Sequence, residues 1–248
     1  AGSHAYCVES DGRVRWRIQT GGTYTHAHPV IPIDPAPGPR PAYVVLRGAP
    51  EFWPATNVLK AGVIRVEADG RVSATLPAYA GRASMAQVSR PAEDLRFLLG
   101  EGDGLVRLLD SQLRVLQSRR LEAPPGASLR SKVSVVPVGA ADLDLDGTDE
   151  WIVLVRRAEW DGPLNPGYSD APPSRIRTVR PRLVVLDDRL GMTAEHIFAQ
   201  AWDDEPPMEI RIGQLCGDAR PEVLALGNHA YLLQFRRHWI DFTRPRFD

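Results

Sequence analysis

Three aspartates alternate with other residues in the segment ADLDLDGTDEWIVL (141–154). A hard cation gathers several oxygens at about 2.3–2.6 Å, and carboxylates at positions 1, 3 and 5 of a tight loop converge on one point. Asp142, Asp144 and Asp146 hold those positions. Gly147 permits the sharp turn that follows. Thr148 falls where a backbone carbonyl would ligate, and Glu150 stands ninth in the loop. The chemistry this pattern implies is one structural calcium ion held by Asp142, Asp144, Asp146, Thr148 and Glu150. The bland alternative is a solvated acidic turn, and the complete DxDxDG spacing favours the ion. A second segment, GQLCGDARPEVLAL (213–226), offers Gln214, Cys216, Asp218 and Glu222 at matching places. A soft thiol and a neutral amide make a poor calcium cage, so no metal is expected there. The surroundings of Asp34 are degenerate too.

Other candidates carry less. GEGDG (100–104) runs from one strand into another with no helix behind it, so it reads as a tight turn and not a phosphate cradle. His26 and His28 lie on one side of a strand, but no third ligand accompanies them. Neither HExxH nor GxSxG occurs. Asp203 and Asp204 read as surface carboxylates, and Trp16, Trp151 and Trp239 as packing residues within strands. No catalytic residue is assigned.

The elements that must position the loop are strands. Runs such as YVVL, VIRVEAD, LVRLLD, WIVLV and RLVVLDD are cut by Gly, Pro and Asp every 8–12 residues. Twenty-two scattered prolines argue against long helices. The longest apolar runs are too short to span a bilayer, so direct membrane insertion is not expected. A formal net charge of −1 implies no bulk attraction to nucleic acid. The 30 basic residues are nearly all Arg, with Lys only at 60 and 132, which reads as codon bias. Cys7 and Cys216 form no ligand pattern.

A repeat organises the strands. Strand, polar turn, strand recurs at YCVESDGRV (6–14), IRVEADGRV (64–72), VRLLDSQLRV (106–115), LVVLDDRLGM (183–192) and YLLQFRRHW (231–239). Anchored on Val8, Val66, Leu109, Leu186 and Leu233, the intervals are 58, 43, 77 and 47 residues. The short intervals approach the roughly 40–50 residues of a four-stranded propeller blade, and the long ones imply insertions. Two further strands precede each of the last four pairs, at 28–34 and 42–48, 85–91 and 95–101, 132–140 and 150–157, 208–215 and 222–227. GSHAY (2–6) and GNHAY (227–231) are then the same entrance to a third strand, which makes the GSH native and not the scar of a purification tag.

The loop at 141–154 resembles the FG-GAP/VCBS repeat of integrin-like β-propellers, where an Asp-rich calcium loop joins the first two strands of a blade. The strand pairs typified by CVESDGRVRWRIQTGG (7–22) also resemble the outer strands of PQQ-type propellers. The resemblance implies an all-β propeller of four-stranded antiparallel blades in one domain, 1–248. Four blades are complete, near 28–80, 85–122, 132–200 and 208–243, and 1–22 supplies only an outer half-blade. In the resembling family Asp is usual where Glu150 stands, and a small residue where Leu145 stands. Five outer pairs against four inner pairs predict a ring that this chain does not close alone.

Two insertions, RGAPEFWPATNVLKAG (47–62) and AEWDGPLNPGYSDAPPSRIRTVRP (158–181), both join a second strand to a third. Long loops rich in aromatics and Arg are common binding elements. Phe52, Trp53, Trp160 and Tyr168 are expected as apolar anchors of a protein partner, with Arg47 and Arg175 at the rim. The expected function is a non-catalytic binding or scaffold module, part of a larger complex or of a longer chain. Its expected setting is extracytoplasmic, periplasmic or secreted, where a calcium affinity of about 10⁻⁴–10⁻³ M suffices. The alternative is a calcium-containing carbohydrate-binding protein or a polysaccharide lyase.

Overall fold

The computed structural model describes residues 4–20, 30–33, 41–47, 62–77, 84–87, 95–123, 131–160, 176–198, 209–217, 220–226, 230–236 and 239–243. These residues form strands and turns, and no helix is among them. The first sheet pairs β1 (His4–Val8) with β2 (Val14–Gln19). The second runs β3 (Val30–Pro32), β4 (Tyr43–Arg47), β5 (Gly62–Val66), β6 (Val72–Pro77). The third runs β7 (Ser84–Gln87), β8 (Arg96–Gly100), β9 (Leu105–Asp110), β10 (Val115–Arg120). The fourth runs β11 (Ser131–Ala141), β12 (Glu150–Trp160), β13 (Ile176–Leu186), β14 (Met192–Ile197). The fifth runs β15 (Glu209–Gly213), β16 (Glu222–Leu226), β17 (Ala230–Arg236), β18 (Trp239–Thr243). The protein is therefore all-β, built of small antiparallel meanders in chain order. Ala5 and Tyr6 of β1 hold the positions of Ala230 and Tyr231 in β17 when Val8 is set against Leu233. Residues 2, 3 and 227–229 of the echoing segments lie outside the described residues, as do His26, His28 and Asp203–Asp204.

Two elements are longer than their sequence suggested. Residues 158–160 and 176–181 were expected within an insertion, yet they extend β12 and β13, with pairing that reaches Trp160↔Ile176. Trp160, Ile176, Thr178 and Val179 favour strands, and pairing carries Ala158 and Glu159 along with them. Pro181, which has no N–H to donate, falls where the register shifts between Val155 and Arg157.

Consecutive sheets are joined by four apolar clusters. Trp16 and Ile18 of the first sheet meet Val45, Ile64 and Val66 of the second. Val44, Leu46 and Val63 of the second meet Phe97, Leu99 and Leu109 of the third. Leu98, Val106 and Leu108 of the third meet Trp151, Val153 and Leu186 of the fourth. Ile152, Leu154 and Val185 of the fourth meet Val223, Ala225 and Leu233 of the fifth. The Val, Leu, Ile and Phe side chains among them each contribute about 1.5–3 kcal/mol when fully buried.

The turns between third and fourth strands repeat one five-residue device in two chemistries. In Glu9–Arg13 and Glu67–Arg71, the Glu N–H donates to the Arg carbonyl and the Gly N–H returns to the Glu carbonyl. Gly12 and Gly70 take the left-handed conformation, at φ +84° and +90°. In Asp110–Arg114 and Asp187–Gly191 a leucine takes it instead, Leu113 at φ 62° and Leu190 at 57°. A non-glycine residue there costs roughly 1–2 kcal/mol. Both leucines are buried in the clusters, and that burial offsets the strain. Asp110 and Asp187 each accept two turn N–H groups, which fixes the same geometry without glycine.

The two glycines differ in surroundings. A Cβ on Gly12 would meet nothing within 4 Å, whereas one on Gly70 would lie 2.6 Å from Trp16 Cβ. Gly12→Ala is expected to cost about 1 kcal/mol, the conformational penalty alone. Gly70→Ala should cost roughly 1 kcal/mol or more beyond that, because Trp16 must also move. Urea unfolding of the two variants checks the order.

Candidate metal centre

The acidic loop joins β11 to β12. Alternation along it sends Leu143 into the core between the fourth and fifth sheets, fully buried, and leaves Asp142 and Asp144 half-buried and Asp146 exposed. One carboxylate oxygen from each of the three aspartates lies within 4.8 Å of the others. The loop is tied by its own side chains. Asp146 N–H donates to Asp142 Oδ1 at 3.0 Å, and Gly147 N–H to Asp142 Oδ2 at 2.9 Å. Asp146 N–H also lies 3.2 Å from Asp144 Oδ1, and Thr148 N–H donates to Asp146 Oδ1 at 2.8 Å. Gly147 is left-handed at φ +88°. These bonds gather three negative charges on one side of a tight turn, an arrangement that suits a hard divalent cation.

Glu150 opens β12 and is buried. Its Oε2 accepts the Leu143 N–H at 2.7 Å, so the side chain turns back beneath the loop and stands apart from the three-aspartate group. Burial pushes its carboxyl up to about 7. The Leu143 N–H opposes that, and Asp144, Asp146 and Asp142 add to it.

The equivalent glutamate of the fifth sheet is Glu222, first residue of β16 and also fully buried. It accepts the Leu215 N–H at 2.6 Å, the Cys216 N–H at 3.3 Å and the Gln234 side-chain amide at 3.3 Å. Both glutamates brace the turn seven residues behind them. Burial pushes the Glu222 carboxyl up, but its donors outweigh burial and hold it below the ordinary value. Sequence reading assigned Glu150 by loop position and passed over Glu222 as a bracing residue. The recoverable signal was the repeated spacing of leucine and glutamate at 143/150 and 215/222. Gln214 and Cys216 of the second loop are exposed, and Asp218 lies outside the described residues.

Of the expected partner-binding residues, Arg47 ends β4 and is half-buried. Burial lowers the pKa of its guanidinium, and its buried Nε has no hydrogen-bond partner. Trp160 ends β12, with its backbone paired to Ile176. Arg47 and Trp160 thus sit at the same end of their sheets, where second strands lead to third. Phe52, Trp53, Tyr168 and Arg175 lie outside the described residues. GEGDG forms a tight turn between β8 and β9, closed by Glu101 N–H to Leu105 O at 2.8 Å. The buried Glu101 within it pairs with Arg107 Nε at 2.6 Å. No protein-family model matches the chain, and no curated protein matches it.

Two expectations follow from the braces and turns. Leu145 is left-handed at φ 64° like Leu190, but it is 48% exposed where Leu190 is 1% exposed. Leu145→Gly should therefore stabilise the metal-free protein by about 0.5–1 kcal/mol, and Leu190→Gly should destabilise it, as read by chemical denaturation. Glu222→Gln should cost about 1.5–3 kcal/mol near neutral pH, because a carboxylate that accepts several donors is replaced. The lowered native pKa means that this stabilisation is present above about 4.5 and is lost as pH falls toward the native value. The variant's stability should accordingly vary less with pH on the acid side than that of the parent.

Proposed function

We propose that the chain is a non-catalytic β-propeller module for protein–protein assembly, stiffened by one structural calcium ion in an extracytoplasmic setting. The observation that carries the reading is the series of meanders stacked through apolar clusters in chain order. Sheets stacked this way, each twisted against the last, generate a propeller when the series curves on itself. Repetition that spreads a core over several sheets suits an architecture whose loops and edges bind partners. The buried carboxylates are engaged in structural roles: Glu150 and Glu222 brace turns, and Glu101 pairs with Arg107.

Asp142, Asp144 and Asp146 would supply the calcium oxygens, with the Thr148 carbonyl beside them. Glu150 would act from beneath through Leu143. A cation there relieves the mutual repulsion of four carboxylates, and that relief is the source of its stabilising effect. The connections at 48–61 and 161–175, with Arg47 and Trp160 at their roots, are the surface proposed to meet a partner.

Saturating calcium should raise the melting temperature through mass action, by the equivalent of about 2.7 kcal/mol at a hundredfold excess over Kd. Asp144→Ala should abolish the response. Identical melting with calcium and with chelator would remove the ion from the reading. A high-resolution structure in which the five sheets form a straight stack, with no curvature toward a ring, would remove the propeller.

A further inference from the structure

The apolar contact between the fourth and fifth sheets has an imidazole at its rim. His196 stands on β14 and is 8% exposed. Alternation along the strand leaves Glu195 and Ile197 exposed and turns His196 and Phe198 inward. Phe198 belongs to the cluster in which Leu183 and Val185 of the fourth sheet meet Val223, Leu233 and Phe235 of the fifth. The imidazole centroid lies 4.6 Å from that of Phe198, with the rings nearly perpendicular at 82°. It lies 6.2 Å from the ring of Tyr231 on β17. Phe198 and Tyr231 stand edge to face at 5.1 Å. Three rings thus join the outer strand of one sheet to the third strand of the next.

The repeat shows what this position ordinarily holds. Ten residues past the anchors Val8 and Val66 stand Ile18 and Leu76, each packed in the cluster its sheet shares with the next. Ten past Leu109 stands Arg119, which reaches the Leu190 carbonyl of the next sheet at 2.6 Å. Ten past Leu186 stands His196. Two sheets therefore use a permanently apolar residue, one a permanently charged residue, and the fourth a residue whose charge changes near neutral pH.

Among the described titratable side chains, Tyr231 faces the imidazole. Glu195 is on the other face of β14 and pairs with Arg182. On β15, Glu209 and Arg211 pair with each other and alternate with Ile210 and Ile212, which face the cluster. On β16, Glu222 is engaged by Leu215, Cys216 and Gln234. On β18, Asp241 pairs with Gln234, out of step with Leu233 and Phe235. Glu150 lies beneath the acidic loop, against the Leu143 N–H.

We propose that His196 makes the contact between the fourth and fifth sheets acid-labile: the neutral imidazole packs with Phe198 and Tyr231, and protonation puts a cation among apolar side chains and loosens the fifth sheet. This goes beyond the assembly reading and does not rest on it. Burial holds the imidazole below its ordinary value of 6.5. The closed contact is therefore fully favoured above 6.5, weakens as pH falls below it, and levels off below the value of the closed state. Glu150 works the other way, since its raised carboxyl gains a proton on folding as pH falls from about 7. It is common to the parent and to any variant at 196, so their difference isolates the imidazole.

Nuclear magnetic resonance titration of the parent protein should give His196 a value below 6.5. A value at or above 6.5 would overturn the proposal, because the ring faces of Phe198 and Tyr231 would then be holding the cation. Amide protection across β16 and β17, taken relative to β8 and β9 in the same sample, should fall at least about threefold between pH of about 7.5 and about 5. His196→Phe, which keeps an aromatic ring, should abolish that fall, and His196→Gln should do the same without the ring. An equal fall in either variant would sink the idea. The titration needs no variant and decides the matter even where neither substitution folds.

Discussion

A β-strand has two faces, and in the second strands of this protein both are apolar. The runs VVL in β4, FLLG in β8 and WIVLV in β12 are buried continuously, not alternately. A sheet with such a strand cannot rest one face in water, so it must lie between two others. Fourth strands carry the opposite pattern: β6 and β10 expose most of their residues. Burial thus falls from second strand to fourth in the second, third and fourth sheets. The order of sheets, the positions of the turns and the open flank of the first sheet all follow from that gradient.

The acidic loop and its relative in the fifth sheet are one mechanical solution under two electrostatic regimes. In each, a buried glutamate at the start of the second strand holds the N–H of a leucine seven residues earlier. Burial, with three nearby aspartates adding to it, pushes the carboxyl of Glu150 up, while additional donors outweigh burial at Glu222 and hold its carboxyl down. The brace survives without the acidic cluster, so it belongs to the turn. The aspartates are an addition to a loop whose backbone is already fixed.

Strand order was legible because Gly, Pro and Asp cut the apolar runs at regular spacing, and because the turn glycines mark where left-handed backbone is needed. The leucine version of the same turn was not legible. Nothing local distinguishes Leu113 or Leu190 from an ordinary strand residue, and their conformation is stabilised by burial against other sheets. The length of β12 and β13 was misjudged for a related reason. Ala158 and Glu159 read as the start of an insertion, yet pairing with the neighbouring strand continues through them to Trp160. Position in the loop suggested Glu150 as a ligand; that its Oε2 turns back to the Leu143 N–H was not legible, because spacing shows which residues approach one another but not which way a carboxylate turns. Of the aromatic residues expected at a partner surface, only the backbone of Trp160 lies within the described residues.

Because each sheet packs on its neighbours in chain order, the protein can form without bringing distant parts of the chain together early. A meander of short hairpins closes small loops first, and each new sheet docks on one already present, so the entropy of closure is met in small steps. The first sheet is the exception. It can nucleate nothing on its inner side, and it borrows its order from the second sheet through Trp16 and Ile18. Local opening should therefore begin there, at β1 and β2, well before the third and fourth sheets separate. β1 and β2 are made before the second sheet that holds them, so during synthesis their apolar face waits uncovered until β3–β6 follow.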